Sequence, residues 1–556
     1  VLPVADHDKP VFGMVPHHTP HNLKGEPTDA VTGYRPERTC IYCYDHSPAP
    51  LPGYKCGNLF INWHLFHNLR QTDLRRKFLI NILFLLTVSI LVKAFWVLGI
   101  DRTVQNVVGE TAYGGYFSLF SFSVLFTLLL DMGLSGFNNR AVSADPTRVR
   151  LYFGNVLLLR LLLTVTYFLV TMGVALALGY RDWHIRLLLV LMLNQAMASM
   201  ILWLRSNISG MQYLFLDSLL SVADRLVMII ICGVLLWGGD VEASFRIEWF
   251  VWAQSTALFT VMCIALALVV RKGGVSGVKP DAAVLRSIIV TGLPYTVVAF
   301  TMTVYWRIDS VMIERLLPGG ATEAGNYAQA FRLFDALAMI PVMFGGLLLP
   351  IMTRGLASGR DITPLAKMAG RMLLAPLGIG AVTLATYPQE MLDLLYTSPA
   401  DSAVTAFRVL MLTLVPAGVI YIYSTMITAA GKLRLLGIIT LSGMVLNIAL
   451  NLFLIPRHGA AGAAYSAMAT QTMVALSCMV AVRKTMTSVA GVRRILVYLL
   501  MILLTFATGW LLRMTGLSWM YVAGAQLITG FALALIFRFT EPLKSLKLIT
   551  DRHDSA

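Results

Sequence analysis

Apolar residues run along this chain in blocks of about twenty, from roughly residue 78 to residue 538, with short polar stretches between them. A helix needs about 20 apolar residues to cross the hydrocarbon core of a bilayer, and that window picks out fourteen segments. Six lie near 78–100, 113–134, 152–178, 186–204, 212–237 and 249–270. Six more lie near 287–314, 325–352, 372–388, 405–429, 434–455 and 461–482, and the last two near 495–513 and 518–538. The pattern predicts an all-α polytopic membrane protein of about fourteen transmembrane helices.

The polar stretches test the count, because cytoplasmic loops collect Lys and Arg. Every second loop is basic: Arg75, Arg76 and Lys77 precede span 1, Arg140, Arg148 and Arg150 follow span 2, and Arg271, Lys272, Lys279 and Arg286 separate spans 6 and 7. The same alternation continues through Arg354 and Arg360, Lys432 and Arg434, Arg493 and Arg494, to Lys544 and Lys547. The intervening loops are poor in cations and carry acids, as at Asp240 with Glu242 and Glu390 with Asp393. Both termini are therefore expected in the cytoplasm.

The basic stretch 271–286 splits the first twelve spans into equal sets. The expected organisation is a disordered cytoplasmic extension over 1–76, a first lobe over 77–270 (spans 1–6), an interlobe loop over 271–286 and a second lobe over 287–482 (spans 7–12). Spans 13 and 14 then occupy 483–538, and a cytoplasmic tail 539–556. Gly114, Tyr116 and Phe120 open span 2 much as Gly325, Tyr327 and Phe331 open span 8, a hint of duplication. Parallel repeats around a central cavity are a recurrent transporter plan.

Composition agrees. Of 556 residues 57% are apolar and 13% charged, against about 45–50% and about 25% in soluble domains. The formal charge of +15 would suggest nucleic acid in a soluble protein, but loop topology accounts for most of it and no nucleic-acid partner is expected. No phosphate-binding loop and no HExxH occur, so neither ATP hydrolysis nor a cofactor is expected. Cys40-x-x-Cys43, with Cys56, His46, His64 and His67, offers zinc-ligand types at a spacing that fits no common finger, and no metal is expected.

Ionisable side chains at membrane depth are costly and tend to face a cavity or a partner. Lys93, Arg160, Arg307 and Arg332 are the candidates for a cationic cavity, and Asp224, Arg225, Asp309 and Asp335 for pairing or coupling. Structural readings stand beside these: Arg332 and Asp335 at i, i+3 form a local pair, Lys93 snorkels to the interface, and Arg408 is interfacial. Asn194, Gln195, Gln254, Asn447, Asn451 and Gln471 add neutral hydrogen-bonding groups that serve sugar hydroxyls or join helices.

The stretch from Tyr305 to Arg354, with Asp309, Gly325, Tyr327, Pro341 and Pro350, resembles the polysaccharide flippases of the multidrug/oligosaccharidyl-lipid/polysaccharide exporter superfamily. The RSNISGMQ sequence before span 5 and the Asn451–Gln471 stretch are similar to the same family. The resemblance implies two six-helix lobes with alternating access, in a bacterial inner membrane. The implied cargo is a polyprenyl-diphosphate-linked oligosaccharide moved to the periplasmic leaflet, with membrane lipids, a glycan polymerase and glycosyltransferases of the same pathway as partners. An excess of guanidinium groups suits a diphosphate, which they bind through paired, charge-assisted contacts. Two alternatives stay open: a cation-coupled multidrug exporter, which needs cavity carboxylates, and a membrane-embedded glycan polymerase, which needs longer loops than these. The expectation is a transporter and not an enzyme.

Overall fold

The computed structural model describes residues 91–145, 148–238, 245–273, 282–486, 492–537 and 539. The chain divides into two units, Val1–Arg75 and Arg76–Ala556. The 1–76 extension with Cys40, Cys43 and Cys56, the middle of the 271–286 loop and the tail beyond 539 lie outside the described residues.

Among the described residues every element is helical. A π-helical turn, Trp96–Asp101, closes span 1 and runs into α1 (Arg102–Leu125), followed by α2 (Leu128–Asp131), α3 (Leu134–Ala144), α4 (Arg148–Ala177), α5 (Trp183–Gly210), α6 (Leu214–Trp237) and α7 (Ile247–Gly273). The second half comprises α8 (Ala282–Leu316), α9 (Gly320–Ala357), α10 (Thr363–Thr386), the short α11 (Pro388–Leu395), α12 (Asp401–Ala429) and α13 (Leu433–Thr485). Two further helices are α14 (Val492–Arg513) and α15 (Trp519–Ile536).

Two glycines bend long helices. Gly109 lies within α1 at φ 78° and ψ 165°, where span 1 hands over to span 2. Gly459 lies within α13 at φ 55° and ψ −132°, after Pro456. Positive φ costs glycine little because it has no Cβ. An unbroken helix of 53 residues would be about 80 Å long, more than twice the roughly 30 Å of a hydrocarbon core. The break divides α13 into lengths matching spans 11 and 12. Ten described helices are long and apolar enough to cross a membrane, eleven if the bent pair Leu91–Leu125 and Leu128–Gly136 is one span. That count is below the expected fourteen, and it takes α13 as one helix despite its break.

Packing among the described helices falls into two sets. Helix α5 packs on α3 and α7, and α6 on α7, while α8, α9, α10, α12 and α13 pack among themselves. Helix α1 joins the halves by packing against both α8 and α9, and α14 with α15 rests on α10. One apolar cluster surrounds Phe153 and Trp203 in the first half, one surrounds Met352 and Met426 in the second, and one lies under α14 and α15 at Ile379 and Met501. The fourth straddles the halves and brings Tyr113 and Phe117 of α1 against Phe331 and Phe334 of α9. Outward faces are apolar, as at Leu161, Leu162, Val165 and Leu169 of α4, which suits lipid as solvent.

Candidate functional site

The seam between the halves starts with two glycines. A Cβ on Gly114 would stand 1.9 Å from the Ala321 carbonyl oxygen and 2.4 Å from the Gly325 nitrogen, and one on Gly325 would stand 2.1 Å from the Glu110 carbonyl oxygen. Only glycine lets α1 and α9 approach backbone to backbone there. The matching positions noticed in spans 2 and 8 are thus the two that touch. Hydrogen bonds gather at this end of the seam: the hydroxyls of Thr111 and Thr322 are 2.8 Å apart, Ser118 donates to the Ser310 carbonyl at 3.1 Å, and Tyr180 donates to Glu314 at 2.7 Å. Arg102 and Asn106 donate to the carbonyl of Leu395 at the end of α11. All of these lie at the ends of helices joined by the cation-poor loops, so the halves are closed together on that face.

Arg332 lies two helical turns beyond Gly325, about 10 Å along α9. Its Nε is 3.2 Å from Asp101 Oδ2 and donates to Tyr113 Oη at 2.8 Å. Tyr113 donates in turn to Asp101 Oδ1 at 2.8 Å, and Gln105 Nε2 donates to Asp101 Oδ2 at 3.2 Å. The guanidinium stands 5.1 Å over Phe117 and 5.8 Å over Phe120. The Arg332–Asp335 local pair is therefore not formed: Arg332 reaches across the seam to the first half. Asp335 instead takes Arg307, whose Nη2 is 3.0 Å from Asp335 Oδ2, with Trp306 Nε1 donating to Oδ1 at 3.3 Å. Arg307 also stands 5.2 Å over Phe331, and its Nη1 is buried with no hydrogen-bond partner.

Asp309 is different. It is 2% exposed and accepts only neutral donors: Tyr327 Oη at 2.9 Å and Asn451 Nδ2 at 2.7 Å. No cation pairs with it among the described residues. Asn451 Nδ2 also reaches Asn447 Oδ1 at 3.2 Å, while Asn447 Nδ2 and Asn451 Oδ1 are buried without partners. An isolated carboxylate buried at this depth is costly, and a proton or a small cation would remove that cost.

Arg160 is held in a different setting from Arg332. The sequence offers it as a candidate for the cationic cavity. In the structure it is 2% exposed and paired with Asp131 of α2, and it donates to Ser135 Oγ at 2.7 Å and to Ser199 Oγ at 2.8 Å. It ties α2, α3, α4 and α5 together. Lys93 forms no ion pair among the described residues and has Arg225, Asp224 and Arg205 as charged neighbours. Arg225 Nε stands 3.6 Å from Asp224, and the guanidinium lies 5.1 Å over Trp96. Arg205 is engaged by Asp217 at 2.8 Å. Arg408 is exposed.

Sequence reading missed three acids, Asp101, Asp131 and Glu314, each of which lies at a span end. Including Asp101 and Asp131 removes the excess of cations, because Arg332, Arg307 and Arg160 each hold one carboxylate. No cluster of three or more His, Cys, Asp or Glu able to hold a metal occurs among the described residues.

Over residues 78–356 the sequence matches a family of polysaccharide biosynthesis proteins. No curated protein matches it in sequence. Among solved structures, the lipid II flippase MurJ in an inward closed conformation is similar with a TM-score of 0.60 and 14% identity, over 81% of this chain and 98% of that one. A multidrug resistance MATE family transporter of the MOP superfamily, facing inward, is similar with a TM-score of 0.58 and 15% identity, over 71% of this chain and 95% of that one. At these identities the likeness is one of fold. On the match over half its length, the chain belongs to the polysaccharide biosynthesis protein family.

Proposed function

We propose that the protein is a flippase that carries a polyprenyl-diphosphate-linked oligosaccharide across a bacterial inner membrane, from the cytoplasmic to the periplasmic leaflet. The observation that carries the reading is Arg332: a guanidinium 14% exposed, held at membrane depth between the two halves by an exchangeable carboxylate, Asp101. A diphosphate entering the seam replaces that carboxylate as the acceptor. Arg307, in its own pair with Asp335, and Lys93, without one, supply further positive charge. The polyprenyl chain remains in lipid throughout, so only the headgroup needs shelter.

The cation-poor face is then periplasmic, and the glycine crossing at Gly114 and Gly325 is its closed gate. Opening requires breaking the hydrogen bonds of Thr111, Tyr180, Ser118 and Arg102 across the seam. Outward movement of the anionic headgroup is assisted by an inside-negative potential, about 2.3 kcal/mol per charge per 100 mV. Asp309 is the place where a proton or cation gradient acts on the second half.

Asp309 also favours a second reading, a cation-coupled exporter of amphipathic drugs, since it is an acid without a basic partner. Two assays separate the readings. In a deletion strain, lipid-linked repeat units accumulate on the cytoplasmic leaflet and surface glycan is lost if the flippase reading holds. Raised resistance to cationic dyes on expression in a sensitive host, with surface glycan unaffected by deletion, would replace it with drug export. Arg307→Ala and Arg332→Ala each impair glycan export at normal membrane insertion, and Lys at either site restores part of it because charge survives without the planar fork.

A further inference from the structure

Two side-chain amides at membrane depth are left with hydrogen-bonding groups unpaired among the described residues. Gln195 of α5 makes no hydrogen bond among the described residues. Gln254 of α7 only accepts one, from Asn194 Nδ2 at 3.5 Å, so its NH2 group has no acceptor there. Both line a half-enclosed cavity of about 110 Å³ together with Asn194, Phe120, Asp224 and Arg225. Among the described residues Asp224 pairs with the adjacent Arg225, at 3.6 Å, and has Lys93 as a further charged neighbour.

Polar groups at this depth normally find partners within the protein or line a water-filled space. Asn194 has found its own: Ser255 Oγ donates to its Oδ1 at 2.7 Å, and its Nδ2 reaches the Val251 carbonyl at 3.5 Å. It joins α5 to α7. Gln195 does no such joining and Gln254 does so only through its carbonyl oxygen, which leaves the Gln195 amide, the Gln254 NH2 group and the Asp224 carboxylate on the same cavity lining. The space takes several groups the size of a water molecule, roughly 30 Å³ each.

The cavity adjoins the seam. Phe120 lies in its wall and also 5.8 Å from the Arg332 guanidinium. Arg225 also belongs to the lining and stands over Trp96. A headgroup whose phosphate meets Arg332 therefore has Phe120, and with it this cavity, beside it.

We propose that this cavity is a subsite for the sugar nearest the diphosphate, an inference that rests on the lipid-linked cargo proposed above. Hydroxyl groups both donate and accept, as primary amides do, and a carboxylate accepts from two neighbouring hydroxyls. Gln195, Gln254 and Asp224 thus match the rim of a pyranose, and Phe120 offers a flat apolar surface to its CH face. A hydrocarbon or aromatic occupant would bury these groups without partners, at a cost.

The test uses the full chain in lipid nanodiscs and two kinds of probe: undecaprenyl diphosphate alone, and undecaprenyl diphosphate bearing one glucose, galactose or N-acetylglucosamine. Native mass spectrometry gives the dissociation constants. At least one sugar-bearing probe is expected to bind about tenfold tighter than the bare diphosphate, the worth of one or two hydrogen bonds. Gln195→Leu and Gln254→Leu each remove most of that gain and leave binding of the bare probe within a factor of two. No gain from any of the three sugars, in the unaltered protein, overturns the subsite and leaves a cavity holding water. A gain that survives both substitutions overturns it as well. Failure of every probe to bind, bare diphosphate included, is a different result: it removes the lipid-linked reading itself.

Discussion

Adding a single methyl group at Gly114 tests whether the glycine crossing is the gate. A Cβ there would stand 1.9 Å from the Ala321 carbonyl oxygen, whereas real Cβ contacts essentially never fall under 3.0 Å. The obstacle is backbone, not the end of a flexible side chain, so α1 and α9 must part by more than an ångström. Overpacking of this kind costs about 1–3 kcal/mol. If the cost falls only on the state in which the seam is closed, its population relative to the open state drops by about 5- to 150-fold.

The assay is a disulfide across the seam. Thr111→Cys and Thr322→Cys, placed where the two hydroxyls are 2.8 Å apart, are combined with replacement of the six native cysteines by Ser. Thiols at such a separation oxidise readily when the seam is closed. Gly114→Ala is expected to slow cross-linking at least fivefold in membranes, and Gly325→Ala to do the same. Gly346→Ala, on the same helix but with open space around the added Cβ, should leave the rate unchanged. Cross-linking of Gly114→Ala at the parental rate, with the protein monodisperse, would refute the crossing as a gate.

Three further predictions follow from the buried charges. Asp101→Asn and Arg332→Gln should each lower the thermal midpoint, because removing one partner of a buried pair costs about 3–5 kcal/mol; the double variant should regain most of the midpoint, read by fluorescence-detected size exclusion, without regaining glycan export. Arg160→Met should cut the amount of folded protein in the membrane several-fold and Asp131→Leu in addition should restore it with export intact, whereas export lost at normal folding would return Arg160 to the cavity. Asp309→Asn should abolish the dependence of transport on a proton or sodium gradient, measured by leaflet accessibility of lipid-linked units after ionophore treatment, while leaving cross-linking across the seam within about twofold; retained gradient dependence would exclude Asp309 as the coupling group.

The helices were legible in the sequence because a bilayer leaves so few solutions: a long apolar block must be a helix, and its cations must sort to one side. The proposed lobe boundary rests on the basic stretch between Arg271 and Arg286, the middle of which lies outside the described residues. The pairing of charges was not legible. Arg332 and Asp335 invited a local reading, yet each found its partner on another helix, 231 and 28 positions away at Asp101 and Arg307. Such pairings depend on how helices meet, which spacing along one helix cannot encode. Asp101 escaped for a second reason: it falls one residue past the drawn end of span 1, where the π-helical turn Trp96–Asp101 prolongs the helix and buries it. Gln195 and Asn194, adjacent in sequence and both in the cavity lining, show the same limit, for only the packing of α7 decides that Asn194 also joins helices.

The neutral groups around the paired acids bear on how a headgroup is released. If a diphosphate takes Arg332, the carboxylate of Asp101 stays behind at 1% exposure, and a lone charge there would raise the cost of every transport cycle. Tyr113 and Gln105 already donate to it, at 2.8 and 3.2 Å, and neither depends on Arg332 to do so. Trp306 does the same for Asp335 at 3.3 Å. Hydrogen bonds to a charged group contribute about 1.5–3 kcal/mol each, comparable with half the cost of breaking a buried pair. On the proposed flippase reading, the arginines are held by acids that can let them go: the ion pairs occupy the guanidinium groups while the seam is empty, and the neutral donors keep the exchange for phosphate shallow in both directions, as a carrier that must also release its cargo requires.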